Sequence, residues 1–167
     1  MSTQMQSAQD LLLFDLSYMH VFEQHNVETL QQLVQEVSSE EARQPLQHHL
    51  EETREQVQLL EQIFQTMGQQ PQQVTPHAVR GLKQDHDTFG SKKPSPEVLT
   101  MFDLGAAAKV EHMEVACYRG LLMKAQAMGQ QEIAGILQRI LQQEEDAVTE
   151  IEAAIQQLSQ QMAGSAV

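Results

Sequence analysis

Apolar residues recur at intervals of three and four along four long stretches of this chain, which is the spacing of one buried face of a helix. The stretches cover about residues 7–37, 40–67, 96–128 and 131–160. Glutamine, glutamate, leucine and alanine are common in all four, and runs of β-branched residues are scarce. Because these residue types favour helices, the pattern predicts an all-α protein with four long helices.

Residues at the ends of the stretches support these boundaries. Ser39 is expected to cap the second helix, because its hydroxyl can accept a hydrogen bond from a free helix N–H. Gly68 is the expected stop of that helix, and Gly129 follows the third. Pro96 suits the first turn of the third helix. Pro45 also suits a first turn, but it would kink the second helix if it lay deeper.

The lengths of the connections predict the topology. The first and second helices, and likewise the third and fourth, are joined by a few residues, so each pair is expected to be antiparallel. Residues 68–95 are instead a long crossover between the second and third helices, with a short extra helix at about residues 76–89. One long crossover between two antiparallel pairs predicts a ferritin-like four-helix bundle, formed as a single domain over residues 1–167.

Composition narrows the class of protein. The chain of 167 residues carries ten basic and 23 acidic residues, a net charge of −13. This charge disfavours nucleic acid and anionic membranes and favours cations as partners. No run of ~18 apolar residues is present, so we expect no membrane-spanning helix. The polar N-terminus does not resemble a secretory signal, and the single cysteine, Cys117, indicates a reducing compartment. We therefore expect a cytoplasmic protein.

Acidic residues interrupt the apolar stripe of every long helix near its middle. The polar residues on these stripes are Glu23 in the first helix, His49 and Glu52 in the second, Glu111 and Glu114 in the third, and Glu144 in the fourth. Antiparallel packing would bring them to one level, where buried carboxylates need compensating charge. Two divalent metal ions would supply it, and oxygen-rich ligation with an imidazole suits iron or manganese. The sequence thus predicts a two-metal site formed by these six residues.

Alternatives remain open for individual residues. Glu145 would replace Glu144 if the helix were rotated by one position, and His20 or His112 could replace another ligand. The carboxylates could also be solvated. We interpret His25, His48, His77 and His86 as exposed side chains. Tyr18 and Tyr118 could donate to a ligand carboxylate, but packing is the role that we favour.

Two segments resemble one known family. HHLEETREQVQLLEQIF (residues 48–64) and KVEHMEVACYRGL (residues 109–121) are similar to the second and third helices of the YciE/YciF family of ferritin-like bacterial stress proteins. The resemblance extends weakly over about residues 11–158. It implies a ferritin-like bundle, often a homodimer, with a di-iron or similar centre and a role under stress. The ExxH motif of ferritins and rubrerythrins is absent from the second and fourth helices.

The leading functional hypothesis is a dimetal-carboxylate stress protein that handles peroxide, oxygen or ferrous iron. Iron is the first choice of metal and manganese the second. An oxidase-, peroxidase- or catalase-like activity is compatible with such a centre. The rivals are a metal-free helical stress or interaction protein and an iron-storage subunit.

Overall fold

A computed structural model describes residues 5–164, apart from the side chain of Val79, and contains five helices. They are α1 (Ala8–Glu36), α2 (Glu40–Met67), α3 (His77–Gly90), α4 (Pro96–Ala127) and α5 (Gln131–Gly164). The described residues include no strand, so the all-α prediction is confirmed. The last helix continues to Gly164, a few residues beyond its predicted end. None of the described helices has an apolar stretch long enough to cross a membrane.

The four long helices form a square bundle in which α1 and α5 each contact both α2 and α4. The end of α1 lies beside the start of α4, where the Ser38 backbone N–H donates to Thr100 Oγ1 at 2.9 Å. The helices α2 and α4 therefore both run antiparallel to α1, and the segment between them must travel the length of the bundle. This is the predicted ferritin-like topology. The crossover is held against α1 by a hydrogen bond from Gln72 N to Ser17 Oγ at 2.9 Å.

The local signals at the helix ends act as predicted, with one exception. Ser39 Oγ accepts a hydrogen bond from the Ala42 N–H at 3.2 Å. Pro96 begins α4, with Ser95 as its cap. Pro45, however, lies inside α2 beyond the first turn, and the helix continues through it. Proline has no N–H to donate to the preceding turn, and its ring crowds the carbonyl four residues earlier, so packing must outweigh both costs.

Gly68 ends α2 in the left-handed conformation, with φ 61° and ψ 29°. We expect Gly68→Ala to lower the free energy of unfolding by about 1 kcal/mol, because a Cβ is disfavoured at this φ. Gly105→Ala is the matched control, since Gly105 lies inside α4 and a methyl group added there would meet open space. That change should stabilise by about 0.5–1 kcal/mol. Urea denaturation measures both free energies of unfolding. If both substitutions changed the free energy of unfolding in the same direction, the left-handed conformation assigned to Gly68 would be contradicted.

The apolar core is divided into two blocks along the bundle. The first block includes Leu12, Leu16, Phe22, Leu60, Ile63, Tyr118, Leu137 and Ile140. The second includes Leu30, Val37, Leu46, Leu50, Leu104, Ala107, Ile151 and Leu158. Polar and acidic side chains occupy the level between them, about midway along the four helices.

Candidate metal centre

Each long helix contributes a buried polar side chain to this middle level. The side chains are Glu23 and Asn26 from α1, His49 and Gln56 from α2, Glu111 and Glu114 from α4, and Glu144 from α5. The three residues Glu23, Glu114 and Glu144 have no exposed surface, and His49 and Glu111 are only 1% exposed. Helical spacing explains the arrangement, because residues three or four positions apart share one face.

Four of these residues form a tight group. His49, Glu111, Glu114 and Glu144 each offer a ligand atom, and these atoms all lie within 4.8 Å of one another. His49 Nε2 lies 3.0 Å from Glu111 Oε2. The group therefore joins three helices and could hold a metal ion.

Glu23 lies at the edge of this group and is oriented by a tyrosine. The Tyr118 hydroxyl donates to Glu23 Oε1 at 2.5 Å. The Asn26 amide similarly donates to Glu114 Oε1 at 3.2 Å. Tyr118 packs in the apolar core, as predicted, and its buried hydroxyl also contacts a predicted site residue. These two donors leave the second oxygen of each carboxylate, Oε2, without a donor.

Glu52 occupies a more open position than the other predicted site residues. Its side chain is 18% exposed and lies 3.9 Å from His48 Nε2. It is outside the group of four, but its Oε2 is buried and has no hydrogen-bond partner. Burial raises the pKa of this carboxyl, and the nearby histidines His48 and His49 oppose the rise. Glu52 thus points one oxygen inward from the rim of the polar level.

Burial raises the pKa of every carboxyl in the polar level. Desolvation, followed by the charges of neighbouring carboxylates, raises the pKa of Glu111 to about 8, although a hydrogen bond shared with Glu144 opposes the rise. The same two causes raise the pKa values of Glu114 and Glu144 well above their ordinary range. Desolvation also raises the pKa of Glu23, while the Tyr118 hydroxyl works against it. The folded chain therefore opposes full ionisation of this group.

The basic side chains near these helices are paired on the surface instead. Arg119 contacts Glu145 at 2.5 Å, and Arg139 contacts Glu55 at 2.6 Å. Lys124 pairs with Asp15. Glu145, the alternative to Glu144, consequently faces outward, and Glu144 is the residue that α5 turns into the core. Within residues 5–164, His49 is the one potentially cationic side chain buried with the carboxylates.

The donor set fits divalent cations. Both oxygens of Glu144, both of Glu111 and one each of Glu23, Glu52 and Glu114 are buried, and among the described residues no side chain outside the polar level donates to them. Inside this level, Glu111 shares a hydrogen bond with Glu144, and its Oε2 lies 3.0 Å from His49 Nε2. Buried polar atoms normally have partners, so a set of seven such oxygens at one level needs an explanation. Carboxylate oxygens with one imidazole match iron or manganese better than a metal that prefers thiolates.

The other histidines lie outside the group. His20 is buried against Phe64, with its ring 3.6 Å from Glu61, and His112 bonds Glu152 at the surface. His48 is half exposed and contacts Glu150 at 3.1 Å. His25 and His77 are exposed, as predicted.

His86 is different, and its interpretation as an exposed residue was wrong. Its side chain is 22% exposed, and its Nδ1 lies 2.8 Å from Asp103 Oδ1. Asp103 is itself only 1% exposed and was not recognised as a buried polar residue in the sequence. A signal was present, because Asp103 lies four residues before Ala107 and eight before Glu111, on the same stripe of α4.

Comparison with known proteins gives consistent matches along the chain. Residues 7–164 match the family described as a domain of unknown function, DUF892. The chain is 27% identical over 141 residues to the protein YciF of Escherichia coli strain K12, covering 84% of this chain and 85% of YciF.

Solved structures give the same fold. YcfI from Rhodopseudomonas palustris, described as a candidate structural protein, superposes with a TM-score of 0.85 at 31% identity, covering 91% of this chain and 97% of YcfI. The crystal structure of the E. coli stress protein YciF superposes with a TM-score of 0.87 at 24% identity, covering 93% of this chain and 99% of YciF. The resemblance to the YciE/YciF family that was identified from the sequence is confirmed.

Proposed function

This chain belongs to the DUF892 family, and on that premise we propose that it is a ferritin-like dimetal-carboxylate protein. Its role would be the redox handling of peroxide, oxygen or ferrous iron under stress. The link to stress comes from YciF, a stress protein to which this chain is similar over most of its length. Iron is the metal we favour, and manganese is the second choice, because both accept carboxylate and imidazole ligands together.

The observation that carries the proposal is the excess of buried negative charge. Four carboxyls, from Glu23, Glu111, Glu114 and Glu144, are at most 1% exposed, and His49 is their one potentially cationic neighbour in the described chain. A buried ionised carboxylate without a partner is strongly unfavourable. Two divalent cations supply four positive charges, which balance these four carboxylates and leave Glu52 at the rim as a further ligand.

The residues around the ligands would hold them in place. His49, Glu111, Glu114 and Glu144 are the main ligand set, because their ligand atoms are the closest together. Glu23 would join them, with its orientation set by the Tyr118 hydroxyl. Asn26 orients Glu114 in the same way. Such supporting hydrogen bonds commonly fix the direction in which a ligand points and so tune metal affinity.

Two bound ions of iron or manganese would supply a Lewis-acidic, redox-active pair for a small oxidant. The chain's own contribution is to exclude water and to hold protons. The apolar blocks above and below the site would limit the access of water from the two ends of the bundle. Tyr118, whose pKa is raised well above its usual range by burial and by nearby Glu23, keeps its proton on the hydroxyl that faces this carboxylate.

A metal-free structural or interaction protein is the alternative. The raised pKa values of Glu111, Glu114 and Glu144 favour it, because carboxyls that keep their protons need no cation. The description of YcfI as a candidate structural protein points in the same direction. In this alternative the carboxyls share protons and help to specify the bundle.

Metal analysis separates the two functions. Protein purified from cells grown with added iron or manganese should contain close to two metal ions per chain, as measured by elemental analysis. Glu52→Ala should reduce this content, because it removes the inward oxygen at the rim of the site. Glu51→Ala is the matched control, since Glu51 is exposed and bonds Gln47 on the surface of the same helix. Metal content well below one ion per chain in the wild type would refute the proposal.

The homodimer expected from the family resemblance stays a prediction for gel filtration.

A further inference from the structure

A cavity of about 80 Å³ lies between α1, α3 and α4. This volume is several times the ~10–15 Å³ that one water molecule requires. Most of its wall is apolar, formed by Phe22, Leu30, Leu33, Leu82, Ala107 and Val110. The outer side is closed by α3, the short helix of the crossover, which is outside the four-helix square.

The residues that line the cavity extend from the carboxylate group to the surface of the bundle. Glu111 and Asn26 line its inner end, and both belong to the polar level of the bundle. The exposed residues Gln32 and Lys83 line it at the other end. Glu111 is thus shared between the cavity and the group that could hold a metal.

A buried polar group also faces this space. Asp103 lines the cavity at 1% exposure, with Oδ1 bonded to His86 and Oδ2 lacking any donor. His86 Nε2 lies 3.8 Å from Glu36 at the surface, so this ring fills the gap between α3, α1 and α4. An unpaired buried oxygen can accept a hydrogen bond from a small molecule that enters the cavity.

We infer that this cavity is the route by which a small uncharged molecule, of the size of dioxygen or hydrogen peroxide, reaches the carboxylate group. The inference rests on the proposed function, since it names the path to that site. Apolar walls strongly disfavour ions that must lose their hydration, but they admit uncharged molecules at little cost. Asp103 and Asn26 are the polar points at which peroxide could form hydrogen bonds along the way. The crossover helix α3 accordingly serves as the outer wall of the route.

Xenon binding to the metal-free protein tests the cavity itself. Xenon-pressurised crystals of the wild type should hold a xenon atom beside Val110, and Ala107→Leu should abolish it by filling the space. Ala154→Leu is the matched control, because Ala154 is a buried alanine of the same apolar block that does not line the cavity. Leu33→Ala widens the cavity and should raise xenon occupancy. This variant still tests the cavity if Ala107→Leu prevents folding. An absence of xenon from both the wild type and Leu33→Ala would overturn the inference.

Nitric oxide binding to the ferrous-loaded protein tests the route. Stopped-flow absorbance follows the formation of the iron–nitric oxide complex. Its rate should fall about tenfold in Ala107→Leu, equivalent to ~1.4 kcal/mol in the barrier to entry, and should stay near the wild-type rate in Ala154→Leu. Equal rates in all three proteins would overturn the inference and leave the proposed function intact. The iron content of each sample is measured separately, so a wild type that binds no iron would refute the proposed function and would be recognised as such.

Discussion

Glutamine in place of Glu144 is expected to lower metal affinity and to raise the stability of the metal-free protein. Both oxygens of Glu144 are buried, and this carboxyl shares a hydrogen bond with Glu111. The Glu144→Gln change replaces a carboxyl whose pKa burial raises well above its ordinary range with a neutral amide that can donate to Glu111. Because the amide does not have to take up a proton on folding at neutral pH, as the buried carboxyl does, the free energy of unfolding should rise by about 1–3 kcal/mol without metal.

The same change should weaken metal binding by more than the ~10–100-fold typical for loss of a supporting hydrogen bond near a metal. Elemental analysis after equilibrium dialysis measures the affinity, and urea denaturation in a chelator measures the stability. Glu145→Gln is the matched control, because Glu145 pairs with Arg119 at the surface. Unchanged metal affinity in Glu144→Gln, or lower metal-free stability at neutral pH, would contradict the assignment of Glu144 to the site.

The metal-free protein should lose stability as the pH rises from about 5 to 8. The pKa of Glu111 is raised from 4.5 to about 8 in the folded chain, so the folded state holds a proton that the unfolded state releases over this interval. The stabilisation is complete below the unfolded pKa and is lost as the pH approaches the folded one. Glu114 and Glu144 shift in the same direction and reinforce the trend.

A shift of this size on one carboxyl corresponds to a loss on the order of 3–5 kcal/mol across the interval. Urea denaturation at several pH values in a chelator measures the loss. Added manganese should reverse the slope, because metal ligands bind in their deprotonated form and metal uptake releases protons. Glu111→Gln should flatten the metal-free profile. A metal-free wild type that is equally stable at both ends of the range would exclude the raised pKa.

Features that depend on neighbouring residues in the chain were predictable from the sequence. The caps at Ser39 and Gly68 and the lengths of the connections specify where helices end and which of them are antiparallel. The inward position of Glu144 follows from its place on a regular apolar stripe. The position of Pro45 was less predictable. Proline favours the first turn of a helix, but α2 begins at Glu40, so Pro45 lies beyond that turn and packing must outweigh its cost.

Features that depend on contacts between distant segments were not predictable. The hydrogen bond from Tyr118 to Glu23 joins residues 95 positions apart, and it requires a particular register of α4 against α1. The burial of His86 depends on how α3 rests on the bundle, and nothing in its local sequence specifies that contact. The partial exposure of Glu52 reflects a small difference in helix rotation, which an apolar stripe does not resolve.

The division of the apolar core into two blocks has a mechanical consequence. The waist of the bundle carries the buried acidic side chains between the two apolar blocks, so without cations its backbone amides should exchange with solvent through local opening in the middle of helices rather than by fraying from their ends. Bound ions would link the four helices at that level through their ligands. The rigidity of the molecule would then follow the supply of metal in its surroundings.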